Sequence, residues 1–124
     1  MKILVLGAGR MGLGAAYDLA HNSSDVERVT VADLDGERAR AVVETVKSDK
    51  LAHAQVDVTN AERVVDLMRG HDAAISCVTY FHNLQLARAA IAARTNFCDL
   101  GGNNTVVDAE LALDAQAREA AINI

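Results

Sequence analysis

The chain has 124 residues, of which 51% are hydrophobic and 3% aromatic, and its formal net charge is −5. This length fits one domain with an aliphatic core, and the negative charge argues against non-specific binding to nucleic acid or to anionic membranes. No apolar run approaches the roughly 18 residues of a membrane span. Cys77 and Cys98 fit neither a metal-ligand spacing nor a CxxC motif, so we expect two reduced, buried thiols, no metal site and a cytoplasmic protein.

Short apolar runs that predict strands alternate along the chain with segments of helical period. The predicted strands are Lys2–Leu6, Glu27–Asp33, His53–Asp57, Asp72–Val78, Asn96–Leu100 and the beginning of a sixth at 121–124. Their hydrophobicity is continuous rather than alternating, which is typical of parallel strands that are covered on both faces.

Between these runs, apolar residues recur at the spacing of amphipathic helices, and five helices are predicted. Asp35 is the expected N-cap of the second helix, "TNAE" from Thr59 to Glu62 is a capping box for the third, and Asn104 or Thr105 can cap the fifth. Strand–helix alternation predicts βαβ units with right-handed crossovers. The expected fold class is therefore α/β, a Rossmann-type doubly wound parallel sheet of six strands in the order 3-2-1-4-5-6, forming a single domain over residues 1–124.

A glycine motif, Gly7-x-Gly9-x-x-Gly12, lies directly after the first strand and opens a helix. Gly7 permits a tight turn, Gly9 lets the backbone approach a pyrophosphate, and Gly12 lets the helix lie close to the strand. The free N–H groups of the helix start, around Arg10, Met11 and Gly12, would then face the phosphates. The motif thus predicts a dinucleotide site rather than a glycine turn without a ligand, and Arg10 can be either a phosphate contact or a solvated residue.

Asp33 ends the second strand at about the spacing expected for an acid that binds the adenosine ribose. A carboxylate there can accept bonds from both ribose hydroxyls and would repel a 2′-phosphate, by roughly 4 kcal/mol for unit charges about 4 Å apart at an effective dielectric of about 20. Asp33 therefore favours NAD, with NADP less favoured. Arg38, in the following helix, is the counter-evidence because it could pair with a 2′-phosphate, and a purely local role for Asp33 in the turn "DLDG" is the alternative.

Three further strand ends lie at the same edge of the predicted sheet. Asp57 and Val58 follow the third strand, where adenine would lie, although Asp57 can equally be a plain turn residue. The fourth strand ends at Cys77, Val78 and Thr79, across the switch point from the first strand and near the expected ribose and pyrophosphate. Paired glycines at 101–102 suggest close approach by nicotinamide or substrate, or a simple turn. No nucleophile–base–acid set is found, so no catalytic residue is assigned.

Together, "KILVLGAGRMG", "VTVADLD", "QVDVTN", "HDAAISCVTYFHN" and "FCDLGG" resemble the N-terminal domain of the saccharopine dehydrogenase family, most closely its lysine 6-dehydrogenase-like branch. The resemblance covers nearly the whole chain. It implies a pyrophosphate loop at Gly7, Gly9 and Gly12, a ribose acid at Asp33, and hydride transfer between a pyridine nucleotide and an amino acid. It also implies a homodimer whose second domain holds most substrate contacts, so we expect this chain to be an excised or truncated domain that is inactive alone.

Two other functions share part of this pattern. Regulatory nucleotide-sensing domains of potassium channels and transporters have a similar length, the same glycine motif and a "D-x-T" element like "DVT" after the third strand. "DLGG" after the fifth strand suits the dehydrogenase better. A methyltransferase also has a glycine-rich first loop, but the placement of Asp33 favours dinucleotide binding.

Overall fold

The computed structural model describes residues 1–124 and contains one sheet of five parallel strands in the order β3-β2-β1-β4-β5. The strands are β1 Lys2–Leu6, β2 Arg28–Asp33, β3 Leu51–Gln55, β4 Ala73–Ser76 and β5 Asn96–Asp99. β1 lies at the centre, with Leu6 opposite Ala32 of β2 and opposite Ser76 of β4. The α/β Rossmann architecture and the predicted order of these five strands are confirmed.

The predicted sixth strand is not formed by residues 121–124. Asn123 lies beside β5, where its carbonyl oxygen accepts a bond from the Phe97 N–H at 2.9 Å. Ala121, however, has a left-handed φ of 58°, and the Ile122 N–H still bonds to the Ala117 carbonyl at 3.1 Å. Since the chain is still leaving the preceding helix, this segment has too short an extended part for a hydrogen-bonded ladder, and the sheet has five strands.

Six α-helices and one 3₁₀ turn, Tyr80–His82, connect and cover the strands. The helices are α1 Arg10–Asn22, α2 Gly36–Val46, α3 Ala61–Met68, α4 Asn83–Ala93, α5 Asn104–Leu111 and α6 Asp114–Ala120. The predicted fifth helix is thus two helices, because residues 112–113 interrupt it.

One of the three predicted caps is confirmed and two are wrong by one residue or more. Asp35 caps α2 and accepts a bond from the Glu37 N–H at 3.0 Å. The cap of α3 is Asn60, since the Thr59 hydroxyl donates instead to Asp57 at 2.7 Å. The cap of α5 is Asn103 rather than Asn104 or Thr105. In both cases a neighbouring amide oxygen reaches the free helix N–H groups, as short polar side chains often do.

Two apolar cores cover the sheet, one on each face, because alternate residues of β1 point in opposite directions. Ile3 and Val5 pack with residues of α1 and α2, whereas Leu4 and Leu6 pack with residues of α3, α4 and α6. This is the doubly wound arrangement. No helix is both long enough and apolar enough to cross a lipid bilayer.

Candidate functional site

The turn between β1 and α1 needs glycine at two of its three motif positions for reasons internal to the fold. Gly7 has φ +103°, and a Cβ on it would lie 2.9 Å from the Cys77 carbonyl oxygen of the neighbouring strand end. A Cβ on Gly12 would lie 1.8 Å from the Gly7 carbonyl oxygen. These glycines therefore let β1, β4 and α1 approach one another closely.

Gly9 differs from both, because a Cβ there would meet no atom within 4 Å. The fold does not require glycine at this position, so the open space above Gly9 is available to something outside the chain. Gly9 is also the N-cap residue of α1, and it offers no side-chain hydrogen bond to the helix. The first turn of α1 contains no acidic residue. The helix start is left with free N–H groups and a positive dipole end, which suits an anion such as a phosphate.

Asp33, at the end of β2, contacts this glycine turn directly. Its Oδ2 accepts a bond from the Ala8 N–H at 2.7 Å, and its Oδ1 accepts a bond from the Asp35 N–H at 3.0 Å. The carboxylate is therefore fixed beside the turn, at the edge where the sheet presents strand ends to a ligand.

A cavity of about 390 Å³ opens at this edge between the ends of β1, β2, β3 and β4. Most of the predicted site residues line it: Gly7, Gly9, Asp33, Asp57, Val58, Cys77, Val78 and Thr79. Leu34, Thr59 and His82 also line the cavity, and the sequence did not predict them as site residues. These residues follow the ends of β2, β3 and β4, and that position in the sequence could have indicated that they line the site.

The remaining predicted residues lie outside this cavity. Arg10 lines an adjoining groove of about 350 Å³ together with Arg38, which borders both spaces. Met11 is exposed and Gly12 is buried under the turn, and neither lines the cavity or the groove. Both residues lie in the first turn of α1, where their backbone N–H groups face no acidic side chain of that turn.

Asp57 is held by its own turn. It accepts bonds from the Thr59 hydroxyl at 2.7 Å and the Thr59 N–H at 2.9 Å, and these bonds lower the pKa of the Asp57 carboxyl. Asp57 is therefore a turn residue that also lines the cavity, and its contact with adenine stays a prediction.

The prediction of two buried thiols is wrong, since Cys77, which follows β4, is half-buried and Cys98 is exposed. Burial, with a smaller contribution from Cys98, raises the pKa of the Cys77 thiol to about 11, so it is protonated at neutral pH. The Cys77 N–H donates to the Leu6 carbonyl at 2.7 Å, and the Ser76 hydroxyl donates to the Asn83 side chain at 2.8 Å in the buried interior. These bonds fix the backbone wall formed by Cys77 and Val78 beside Gly7.

Gly101 and Gly102 do not line this cavity. Both have positive φ values, +61° and +109°, and the Asp99 carboxylate accepts a bond from the Gly101 N–H. The glycine pair therefore meets the needs of a tight turn before α5. A larger cavity, of about 560 Å³, lies beyond β5 and includes Asp99 and Glu110, but it contains neither the glycine turn nor Asp33.

The cavity beside the glycine turn combines a helix start without a side-chain cap and a fixed carboxylate, at the switch point of a parallel sheet. A glycine turn with an open backbone position, next to an acid on the neighbouring strand, fits the two phosphates and the adenosine ribose of NAD(P). The fold and site define the chain as a dinucleotide-binding Rossmann domain. No group of three or more His, Cys, Asp or Glu side chains is arranged to hold a metal ion.

The chain belongs to the saccharopine dehydrogenase family. The family model described as the saccharopine dehydrogenase NADP binding domain matches residues 3–124, and the family resemblance of the sequence is thereby confirmed. The chain is accordingly an NAD(P)-binding domain of an oxidoreductase family. This membership favours the dehydrogenase hypothesis over the channel-regulatory and methyltransferase alternatives.

Solved structures share the fold at low sequence identity. Apo saccharopine dehydrogenase (L-Glu forming) from Saccharomyces cerevisiae superposes with a TM-score of 0.81 and 22% identity, over 98% of this chain and 25% of that one. A probable dehydrogenase from Thermotoga maritima gives 0.65 and 21%, over 98% and 34%. The 3-ketoreductase KijD10 from Actinomadura kijaniata, solved with NADP, gives 0.69 and 16%, over 98% and 36%. The chain thus spans between a quarter and just over a third of these proteins.

Proposed function

We propose that this domain binds NAD in preference to NADP and serves hydride transfer to or from an amino acid in the whole protein. The observation that carries the proposal is the open backbone position at Gly9, beside an uncapped helix start and a fixed carboxylate at Asp33. The bound nucleotide would supply or accept the hydride. The chain's own groups would hold its phosphates at the α1 N-terminus and its adenosine ribose at Asp33.

The proposed preference for NAD rests on the acceptor positions that the Asp33 carboxylate leaves free. A carboxylate has about four acceptor positions, and backbone N–H groups of Ala8 and Asp35 use two of them. The other two can accept from the ribose hydroxyls, whereas a 2′-phosphate would lose those bonds and meet a negative charge. Arg38 opposes this preference, since it borders the cavity and forms no salt bridge within the chain.

The substrate and the assembly are proposed from the family alone. We propose an amino acid such as lysine or saccharopine as substrate, a homodimer for the whole protein, and a cytoplasmic location, for which the two free cysteines are suitable. The lysine 6-dehydrogenase-like branch stays a prediction. We assign no catalytic residue within residues 1–124, because the half-buried Cys77 thiol is protonated and the Thr59 hydroxyl is held by Asp57 within a turn.

Calorimetric titration of this chain with NAD and with NADP tests the proposal. The dissociation constant for NAD is expected to be at least about tenfold lower, a difference of about 1.4 kcal/mol. Asp33→Ala should reduce the difference between the two dissociation constants, mainly by weakening the binding of NAD. Tighter binding of NADP than NAD by the wild-type chain would show that Arg38, rather than Asp33, governs the choice. Failure of both nucleotides to bind would contradict the assigned site.

A further inference from the structure

Asp33 makes a contact that ribose recognition does not require. The Ala8 N–H, which lies in the middle of the glycine turn, donates to Asp33 Oδ2 at 2.7 Å across the gap between the ends of β1 and β2. Ala8 is 8% exposed, so water has little access to this amide. A buried N–H without a partner is costly, and a charged acceptor satisfies it more strongly than a neutral one.

The glycine turn has few other attachments on this side. The last backbone bond between β1 and β2 runs from the Gly7 N–H to the Ala32 carbonyl, at 2.7 Å. Gly7 then adopts a left-handed conformation, with φ +103°. A Cβ on Gly9 would contact no protein atom within 4 Å. Between these two flexible residues, the bond from Ala8 to Asp33 is the side-chain contact that fixes the turn.

We infer that Asp33 is a positioning residue for the phosphate-binding turn, in addition to its role toward the ribose. The inference rests on the proposed function for its consequence, but the contact itself exists without a ligand. One carboxylate would then act on two parts of the nucleotide. Its bond to the Ala8 N–H positions the backbone beside the phosphates, and its free lone pairs accept hydrogen bonds from the ribose hydroxyls. Loss of Asp33 should therefore weaken even a nucleotide that has no ribose hydroxyls.

Three variants separate these roles. Asp33→Ala removes both the charge and the acceptor. Asp33→Asn keeps one oxygen that can accept from the Ala8 N–H while it removes the charge. Asp35→Ala is the matched control, because it deletes a carboxylate two residues away and the cap of α2 but does not touch the glycine turn. Circular dichroism establishes that each variant is folded.

Amide hydrogen exchange on the ligand-free chain tests the contact directly. The Ala8 amide should be protected in the wild type, in Asp33→Asn and in Asp35→Ala, and should lose most of its protection in Asp33→Ala. Equal protection of Ala8 in the wild type and in a folded Asp33→Ala would overturn the inference. This readout needs no nucleotide, so it stands apart from the fate of the proposed function.

Titration with ADP and with 2′,3′-dideoxy-ADP tests the consequence. The dideoxy compound keeps both phosphates but lacks the hydroxyls that Asp33 would accept from. We expect Asp33→Ala to weaken it about fivefold or more, and Asp33→Asn and Asp35→Ala to stay within about twofold of the wild type. The binding of ADP should be weaker in both Asp33 variants than in the wild type. Unchanged binding of the dideoxy compound by Asp33→Ala would limit Asp33 to the ribose. If Asp33→Ala does not fold, an Ala8 amide that is unprotected from exchange in the wild type would overturn the inference.

Discussion

The carbonyl oxygen of Gly7 would lie only 1.8 Å from a Cβ on Gly12, a distance that no real pair of atoms of this kind adopts. The first turn of α1 is thus pressed against the backbone of the turn that precedes it. The Gly7 carbonyl belongs to the main chain and cannot rotate away, as the end of a flexible side chain could. Glycine at position 12 is therefore a condition for the fold, before any ligand is considered.

Gly12→Ala is expected to lower the free energy of unfolding by about 3 kcal/mol or more, because a methyl group must displace backbone. Urea unfolding followed by circular dichroism measures the change. Gly14→Ala is the matched control on the same helix, since a Cβ there meets no atom within 4 Å and the position is exposed. It should raise stability by up to about 1 kcal/mol through helix propensity. A Gly12→Ala chain as stable as the wild type would contradict the close approach.

Gly9→Val should have the opposite profile: an intact fold and no dinucleotide binding. The space above Gly9 is empty of protein atoms, so the fold can accept a side chain there, but the methyl groups would occupy the place proposed for the pyrophosphate. Circular dichroism reports the fold and calorimetry reports the binding of NAD. Unchanged affinity in a folded variant would show that the dinucleotide lies elsewhere.

Arg38→Ala should weaken the binding of NADP about fivefold or more and leave the binding of NAD within about twofold, because only NADP carries a 2′-phosphate that can pair with this guanidinium. The control is Arg40→Ala on the same helix. Arg40 already pairs with Glu44 at 2.9 Å and with Glu37 at 3.6 Å, and it lines neither the cavity nor the groove. Calorimetric dissociation constants for both nucleotides decide the matter. Equal losses of NAD and NADP in Arg38→Ala would mean that this arginine contacts a phosphate common to both.

We expect Glu110, which lines the cavity beyond β5, to make the stability of the chain depend on pH. Burial, then a hydrogen bond with Asp99, then the charge of Asp99 raise the pKa of the Glu110 carboxyl to about 7. Its Oε1 is buried and has no hydrogen-bond partner, so a charged carboxylate is poorly stabilised there. Because the folded pKa lies above the unfolded value, this contribution to stability is complete below about pH 4.5. It is lost as the pH rises through about 7.

Chemical unfolding of the wild type and of Glu110→Gln, between pH 4 and pH 9 (about the full window of this titration), measures that contribution. The difference between the two chains isolates Glu110 from the other carboxylates. The wild type should lose stability relative to Glu110→Gln as the pH rises from about 4.5 to about 7, with no further relative change above that. A constant difference over this range would mean that Glu110 titrates normally in the folded chain.

The sequence was a good guide to strands and a poorer guide to caps and chain ends. Continuous apolar runs such as Lys2–Leu6 identify buried parallel strands, because both faces of the sheet are covered. The cap of α3 was misplaced because both Thr59 and Asn60 can accept from helix N–H groups, and the choice depends on the bond from the Thr59 hydroxyl to Asp57. Residues 121–124 have the composition of a strand, but Ala121 is still turning out of α6.

The sequence by itself determined the class of site, because spacing along a strand–turn–helix unit is a local property: Gly7, Gly9 and Gly12 must lie at the start of α1 wherever β1 ends. Only the tertiary structure decided which role each of these residues has. A side chain would find open space at Gly9 but would clash with backbone at Gly12. The Asp33 carboxylate accepts a bond from the Ala8 N–H at 2.7 Å although the two residues are 25 positions apart. Such contacts depend on the register between β1 and β2, which is set by packing of both sheet faces rather than by the residues that meet.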